Sequence, residues 1–140
     1  WRGEIADCRL GELMDKEKFK ERTQSFALRV IRLVEALPKD QITAQVIGKQ
    51  LLRSGTSVGA NYRAACRAKS TAELITKLNI TLEEADESLY WMELLVKAKL
   101  MDSNKIQSLM QEANEIVSML VSSLKTLRSK SKDSRIYNPN

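Results

Sequence analysis

The sequence predicts an all-α protein, an up-down-up-down antiparallel four-helix bundle, and three observations lead to this fold class. Apolar residues recur every three or four positions along four stretches, which is the spacing of one helix face. The 140 residues include only 5 glycines and 2 prolines, so little interrupts these stretches. No stretch alternates polar and β-branched residues as a half-buried strand would.

The first two helices are predicted over residues 16–37 and 43–68. Pro38 ends the first, because its ring blocks continuation of the helix, and Thr43 is the expected N-cap of the second. The second helix contains Gly48, Gly55 and Gly59. Each costs about 1 kcal/mol relative to alanine in a helix interior, so a continuous helix here must gain close packing in return.

The third and fourth helices are predicted over residues 71–100 and 103–127. Ser70 and Glu73 match a capping box at the start of the third, and Ser103 is the expected cap of the fourth. Around the bundle, residues 15–128, the sequence predicts an N-terminal arm or extension over residues 1–14 and a basic, disordered tail over residues 129–140.

Charge and composition exclude most catalytic classes. The chain carries 23 Lys and Arg against 18 Asp and Glu, a formal charge of +5, and it contains no histidine. It therefore lacks the commonest general base and metal ligand, and no phosphate-binding loop or paired-cysteine motif is present. We expect a protein that is not an enzyme, with no metal and no cofactor. Two cysteines and the lack of a leader or a membrane-length apolar run predict a cytoplasmic location and no membrane contact.

A basic stripe on the second helix is the candidate nucleic-acid interface. On a helical wheel Lys49, Arg53, Arg63 and Arg67 fall within about 80° of one another, opposite the apolar face, and residues 43–68 contain no carboxylate. Cations arranged in this way can contact a phosphate backbone without base-specific geometry. The alternative is a solvated face, or arginines paired with carboxylates of the third helix or of a neighbouring subunit, and this is the commoner outcome for a charge run.

The candidate oligomer interface consists of small residues and one aromatic residue. Gly55 and Gly59 lie on a stripe of small side chains that lets another helix approach closely. That helix belongs either to a second subunit or to the same chain. Trp91 is expected at the edge of the third helix's apolar seam, where it either marks an interface or lies across a neighbouring helix.

The segment from residue 50 to residue 95 resembles the 23S rRNA-intervening-sequence protein family. Arg53, Ser57, Val58, Gly59 and Asn61 match a motif of its second helix. A cap and a long acidic helix follow in the family, and the corresponding residues here are Ser70, Glu73, Glu83, Glu84 and Glu87. The likeness extends over about residues 15–127.

This resemblance implies a four-helix bundle that assembles as a homo-oligomer, a ring of five, with no catalytic residues. Relatives include accessory proteins that bind a reverse transcriptase and nucleic acid. Two functions follow. The first is an oligomeric protein that binds RNA or DNA through the second helix, and the second is a protein-interaction scaffold, an accessory subunit of a protein such as a reverse transcriptase.

Overall fold

A computed structural model describes residues 15–136, which form four helices. They are α1 (Lys16–Glu35), α2 (Ile42–Ala65), α3 (Thr71–Lys97) and α4 (Ser103–Ile136). Each helix packs on the next one in the chain, and α1 packs more loosely on α4. The predicted all-α four-helix bundle is confirmed for this part of the chain. The predicted arm, residues 1–14, lies outside it.

Short turns and specific caps set the helix ends. The Asp15 side chain accepts a hydrogen bond from the Lys18 amide (3.1 Å) and so caps α1. α1 ends two residues before the predicted position, since the residue before Pro38 disfavours helical geometry. α2 begins one residue before Thr43, after an N-cap, Gln41, that makes no side-chain cap hydrogen bond, so the predicted Thr43 cap is wrong.

The α3 start follows the prediction, and its end differs. Ser70 Oγ accepts from the Glu73 amide (3.0 Å), while the Glu73 carboxylate accepts from the Lys69 amide (3.0 Å). α3 ends at Lys97, and Lys99 adopts a left-handed φ of 60°. The amides of Leu100 and Lys99 bond the carbonyls of Leu95 and Val96, the pattern of a Schellman motif.

α4 differs most from the prediction. The side chain of Asp102, not of Ser103, accepts an amide hydrogen bond at its start, from Asn104 (3.3 Å). The helix continues past Leu127 to Ile136, so residues 129–136 of the predicted disordered tail are helical. No glycine or proline stands between Asp102 and Pro139 to stop it. Residues 137–140 lie outside the described part.

One apolar core runs through the bundle, and all four helices contribute to it. The apolar residues that recur along α4 from Ile106 to Leu127 are buried, and the buried face of α3 includes Leu74, Thr81, Ser88 and Leu95. Ser88 Oγ lies 3.0 Å from Ser54 Oγ of α2, which satisfies two buried hydroxyls. The largest fully buried side chains are Phe19, Phe26, Leu51, Tyr62, Leu74, Leu78, Met92, Leu95, Ile106, Ile116 and Leu120.

Cys66 is buried at the C-cap of α2, 4% exposed. It lies one helical turn after Tyr62. Burial is the main cause that raises the pKa of the Tyr62 hydroxyl, and the neighbouring Cys66 side chain adds to the rise. The Tyr62 ring also packs edge-on against Phe19, with 4.6 Å between ring centroids.

Within residues 15–136, no helix is both long and apolar enough to cross a membrane.

Candidate nucleic-acid interface

The four predicted cations do not all lie on one helix. Lys49, Arg53 and Arg63 lie on α2 and are exposed. Arg67 is exposed too, but α2 ends at Ala65, and the Arg67 amide bonds the Ala64 carbonyl in a tighter turn. Lys49 and Arg63 are 14 residues apart, a distance of about 21 Å along a helix that rises about 1.5 Å per residue.

Arg53 is not free, so at this position the alternative holds in which an arginine pairs with carboxylates of the third helix. Its guanidinium forms ion pairs with two carboxylates of α3, Glu84 (3.1 Å from Nη1) and Glu87. Glu87 also accepts from the Trp91 indole N–H (3.2 Å). A guanidinium held by two carboxylates has little net charge to offer a phosphate.

The register of the two antiparallel helices accounts for this pair. Ser54 faces Ser88 across the α2–α3 contact, so in this antiparallel pair Arg53 lies about level with Leu89, and its long side chain reaches back to Glu87 and Glu84. Glu84 and Glu87 are three residues apart and share a face. The turn at residues 66–70 lies midway between Arg53 and these glutamates, and that spacing is a sequence signal for the pairing.

The remaining three cations keep their charges exposed. Among residues 15–131, whose side chains the structure describes, neither a side-chain hydrogen bond nor an ion pair engages Lys49, Arg63 or Arg67. We call these three residues the α2 cations, with Arg67 included although it lies in the turn just after that helix. α2 itself contains no carboxylate.

A groove of about 460 Å³ between α1 and α2 adjoins Arg63. Its floor is formed by small residues, Ala27, Gly59 and Ala60, and charged side chains of both signs flank it. The residues that line it are Glu17, Lys20, Glu21, Gln24, Ala27, Thr56, Gly59, Ala60 and Arg63.

The small-residue stripe packs against α1 of the same chain, which is the intramolecular alternative. A Cβ on Gly55 would lie 2.8 Å from one γ-methyl of Val30 and 2.9 Å from the other. Gly55 is buried beneath Val30, so it cannot offer a surface to another subunit, and its assignment to the interface is wrong. Gly59 lies beside Thr23 of α1, with a hypothetical Cβ 3.6 Å from that backbone.

Trp91 is partly buried against the core, and the ring of Tyr90 lies edge-on to it at 5.1 Å. Tyr90 itself is 52% exposed. The placement of Trp91 at an oligomer interface stays a prediction. Other exposed apolar side chains cluster at the start of α2, where Ile42 is 79% and Val46 54% exposed.

Sequence reasoning missed the polar contacts that join α1 to α4. Arg22 donates to Glu112 through Nη2 (2.7 Å) and Nε (2.9 Å), and to Glu115 (3.0 Å). The hydrogen bond to Arg22 lowers the pKa of Glu112, although burial opposes it, and the same contact raises the pKa of Arg22. Arg29 also donates to Ser108 (2.9 Å). No motif in the sequence links positions 90 residues apart.

No cluster of three or more His, Cys, Asp or Glu side chains suited to a metal ion occurs within residues 15–136. The candidate site in this region consists of exposed cations on α2 and in the turn that follows it.

The chain is similar to a known protein family and to a solved structure. Residues 15–122 match the family model described as 23S rRNA-intervening sequence protein. A similar solved structure is a crystal structure of a protein of unknown function from the S23 ribosomal protein family of Bacteroides thetaiotaomicron. It is 40% identical, with a TM-score of 0.74, over 80% of this chain and 99% of that one. No curated protein matches the chain significantly. Because the family model spans most of the chain, this protein belongs to the 23S rRNA-intervening sequence protein family.

Proposed function

We propose that this protein is a non-catalytic, oligomeric accessory protein that binds nucleic acid electrostatically through the α2 cations. The observation that supports this is the exposure of Lys49, Arg63 and Arg67 without an engaging carboxylate. Arg53 does not count toward this set, because a phosphate would have to displace Glu84 and Glu87 from it.

The expected binding is indifferent to sequence and sensitive to salt. Each phosphate that a cation neutralises contributes about −0.9 to the slope of log K against log salt on duplex DNA, so three contacts predict a slope of about −3 per protomer. The 21 Å between Lys49 and Arg63 corresponds to about six base pairs at 3.4 Å per pair. A duplex probe of about 20 base pairs is therefore long enough.

The test is a titration of labelled RNA and DNA duplexes by fluorescence anisotropy at several salt concentrations. The double variant Arg63→Gln/Arg67→Gln should bind more weakly and lower the magnitude of the salt slope by about two per protomer. The matched control is Arg32→Gln/Lys105→Gln, which removes two exposed cations of α1 and α4. No binding at low salt, or an equal loss in both variants, contradicts the proposal.

Self-association is the second part of the proposal. The family resemblance implies a ring of five, and light scattering coupled to size exclusion measures the mass directly. A mass of five protomers supports the ring, whereas a monomer at every concentration contradicts it. This measurement does not depend on nucleic acid.

A protein-interaction scaffold is the alternative function, and the exposed apolar side chains of Ile42 and Val46 favour it. A reverse transcriptase is the partner that the resemblance implies. Binding of a purified reverse transcriptase, abolished by Ile42→Ser/Val46→Ser, would support the scaffold. Nucleic-acid binding that survives the same variant would separate the two functions.

A further inference from the structure

Three exposed side chains form a line along the outer face of α3. Glu83, Asp86 and Tyr90 are spaced three and four residues apart, which places them above one another on a helix. Both carboxylates are exposed and have no ion-pair partner among the described side chains of residues 15–131. Tyr90 is 52% exposed. We call these three residues the α3 stripe.

A second line of exposed side chains lies on α4. Val121, Lys125 and Arg128 are spaced four and three residues apart, and Val121 is 38% exposed. Arg128 donates to the side-chain oxygen of Asn79 (3.2 Å), a neutral acceptor that leaves the guanidinium charge uncompensated. No acid occurs in the sequence between Glu115 and Asp133. These three residues are the α4 stripe.

The two stripes are complementary in chemistry and in spacing. Read toward the N-terminus, the α3 stripe presents Tyr90, then a carboxylate after four residues and another after three. Read toward the C-terminus, the α4 stripe presents Val121, then a cation after four residues and another after three. Two antiparallel helices would therefore set an apolar pair beside two opposite-charge pairs.

We propose that the α3 stripe of one copy docks on the α4 stripe of a second copy of this chain. The proposal rests on the self-association included in the proposed function, and it names the surfaces that carry it. α3 and α4 are neighbours within one copy, yet no ion pair joins the two stripes there. Their charges are thus available to a partner.

This docking replaces the glycine interface that the sequence predicted, since Gly55 is covered by Val30. Exposed charge pairs contribute more to orientation and association rate than to affinity. The assembly should therefore weaken as salt screens the charges, because the Debye length falls from about 10 Å at 0.1 M to about 3 Å at 1 M.

The experiment uses two charge-reversed full-length variants. Glu83→Lys/Asp86→Lys makes both stripes basic, and Lys125→Glu/Arg128→Glu makes both acidic. Each variant alone should dissociate, with a dissociation constant at least tenfold higher by light scattering and sedimentation at low salt. An equimolar mixture should associate again, because a basic stripe of one variant then meets an acidic stripe of the other, although a ring of five would keep one like-charged junction. Restoration on mixing also shows that both variants fold.

A matched control, Glu21→Lys/Glu35→Lys, makes the same charge change on exposed positions of α1 and should self-associate like the unchanged chain. Assembly that persists in both reversed variants, or no association on mixing, overturns the docking while leaving self-association intact. An unchanged chain that is monomeric at every concentration overturns both. Neither result bears on the duplex titrations.

Discussion

Val30 of α1 occupies the space that a side chain at position 55 would fill. The valine is β-branched and holds one rotamer in a helix, so its methyl groups cannot move away cheaply. At position 59 the neighbour is Thr23, whose nearest atom, Oγ1, would lie 3.4 Å from an added Cβ, an ordinary contact. Two glycines four residues apart thus meet different local packing.

The first prediction uses this pair. Gly59→Ala should raise the free energy of unfolding by about 0.5–1 kcal/mol, because alanine favours the helix interior. Gly55→Ala should lower it by about 1 kcal/mol, since overpacking of about 1–3 kcal/mol exceeds that helix gain. Urea denaturation followed by circular dichroism measures both. Equal shifts of the same sign would contradict the close α1–α2 contact at Val30.

The second prediction concerns Glu112, whose side chain is 18% exposed. Arg22 depresses the pKa of this carboxyl in the folded state. The pair therefore stabilises the fold above the unfolded pKa, about 4.3, and that contribution is lost as pH falls through the lower folded pKa. Glu112→Gln should cost about 1–2 kcal/mol at neutral pH.

Denaturation of the unchanged chain and of Glu112→Gln from about pH 7 to about pH 3 checks the sign. The difference between their free energies of unfolding should shrink with falling pH. Glu115→Gln is the control. Its carboxylate contacts the same Arg22 but is 54% exposed, so its loss should cost under about 0.5 kcal/mol. A Glu112→Gln difference that stays constant with pH would contradict the ion pair.

At the scale of helices, the periodic interiors could be predicted from sequence and several ends could not. The α4 seam from Ile106 to Leu127 follows directly from its spacing of apolar residues. The observed cap of α2 lies two residues before the predicted Thr43, and that of α4 lies one residue before the predicted Ser103, because Gln41 and Asp102 come just before a plausible Thr or Ser. The end of α4 differs from the prediction because the polar composition of residues 129–136 favours disorder, although this segment lacks any helix-breaking residue.

The third prediction tests the caps. Ser70→Ala should lower the free energy of unfolding by about 1 kcal/mol, because the Glu73 amide loses its side-chain acceptor. Ser103→Ala should change it by less than about 0.5 kcal/mol, since Asp102 supplies the side-chain acceptor at that start. Chemical denaturation of the two variants under identical conditions measures the difference. Equal losses would show that Ser103 also caps α4.

At the scale of the whole molecule, charge is segregated by helix. α2 has no carboxylate, the end of α4 has only cations over residues 116–131, and α3 has five acids between Glu83 and Glu93. The predicted basic stripe assumed that this segregation leaves α2 unopposed. The fold places α2 directly against α3, so Arg53 is neutralised and only cations away from that contact stay free.

The fourth prediction follows from the single core to which all four helices contribute. Unfolding should be one cooperative transition, and in a chain carrying Trp1→Phe the tryptophan fluorescence should report the same denaturation midpoint as helical circular dichroism. Trp91 lies on α3 and is partly buried against that core. Separate midpoints would show that part of the bundle unfolds independently of the rest.

The core could be predicted further than the candidate interface, for a physical reason. Burial follows the helical spacing of the apolar residues, and that spacing can be read from a single sequence. Pairing between Arg22 and Glu112 depends on the level at which α1 and α4 meet, and that level is fixed by side-chain packing across the bundle.

The Cys66 thiol is buried at the corner between α2 and α3, so its rate of covalent labelling measures how often this corner opens. A thiol-specific reagent can reach Cys66 only when that corner separates, because buried thiols are chemically inert. In a chain carrying Cys8→Ser, the rate of modification would then report how often the turn bearing Arg67 detaches from the bundle, and a bound polyanion that clamps this turn would slow the reaction.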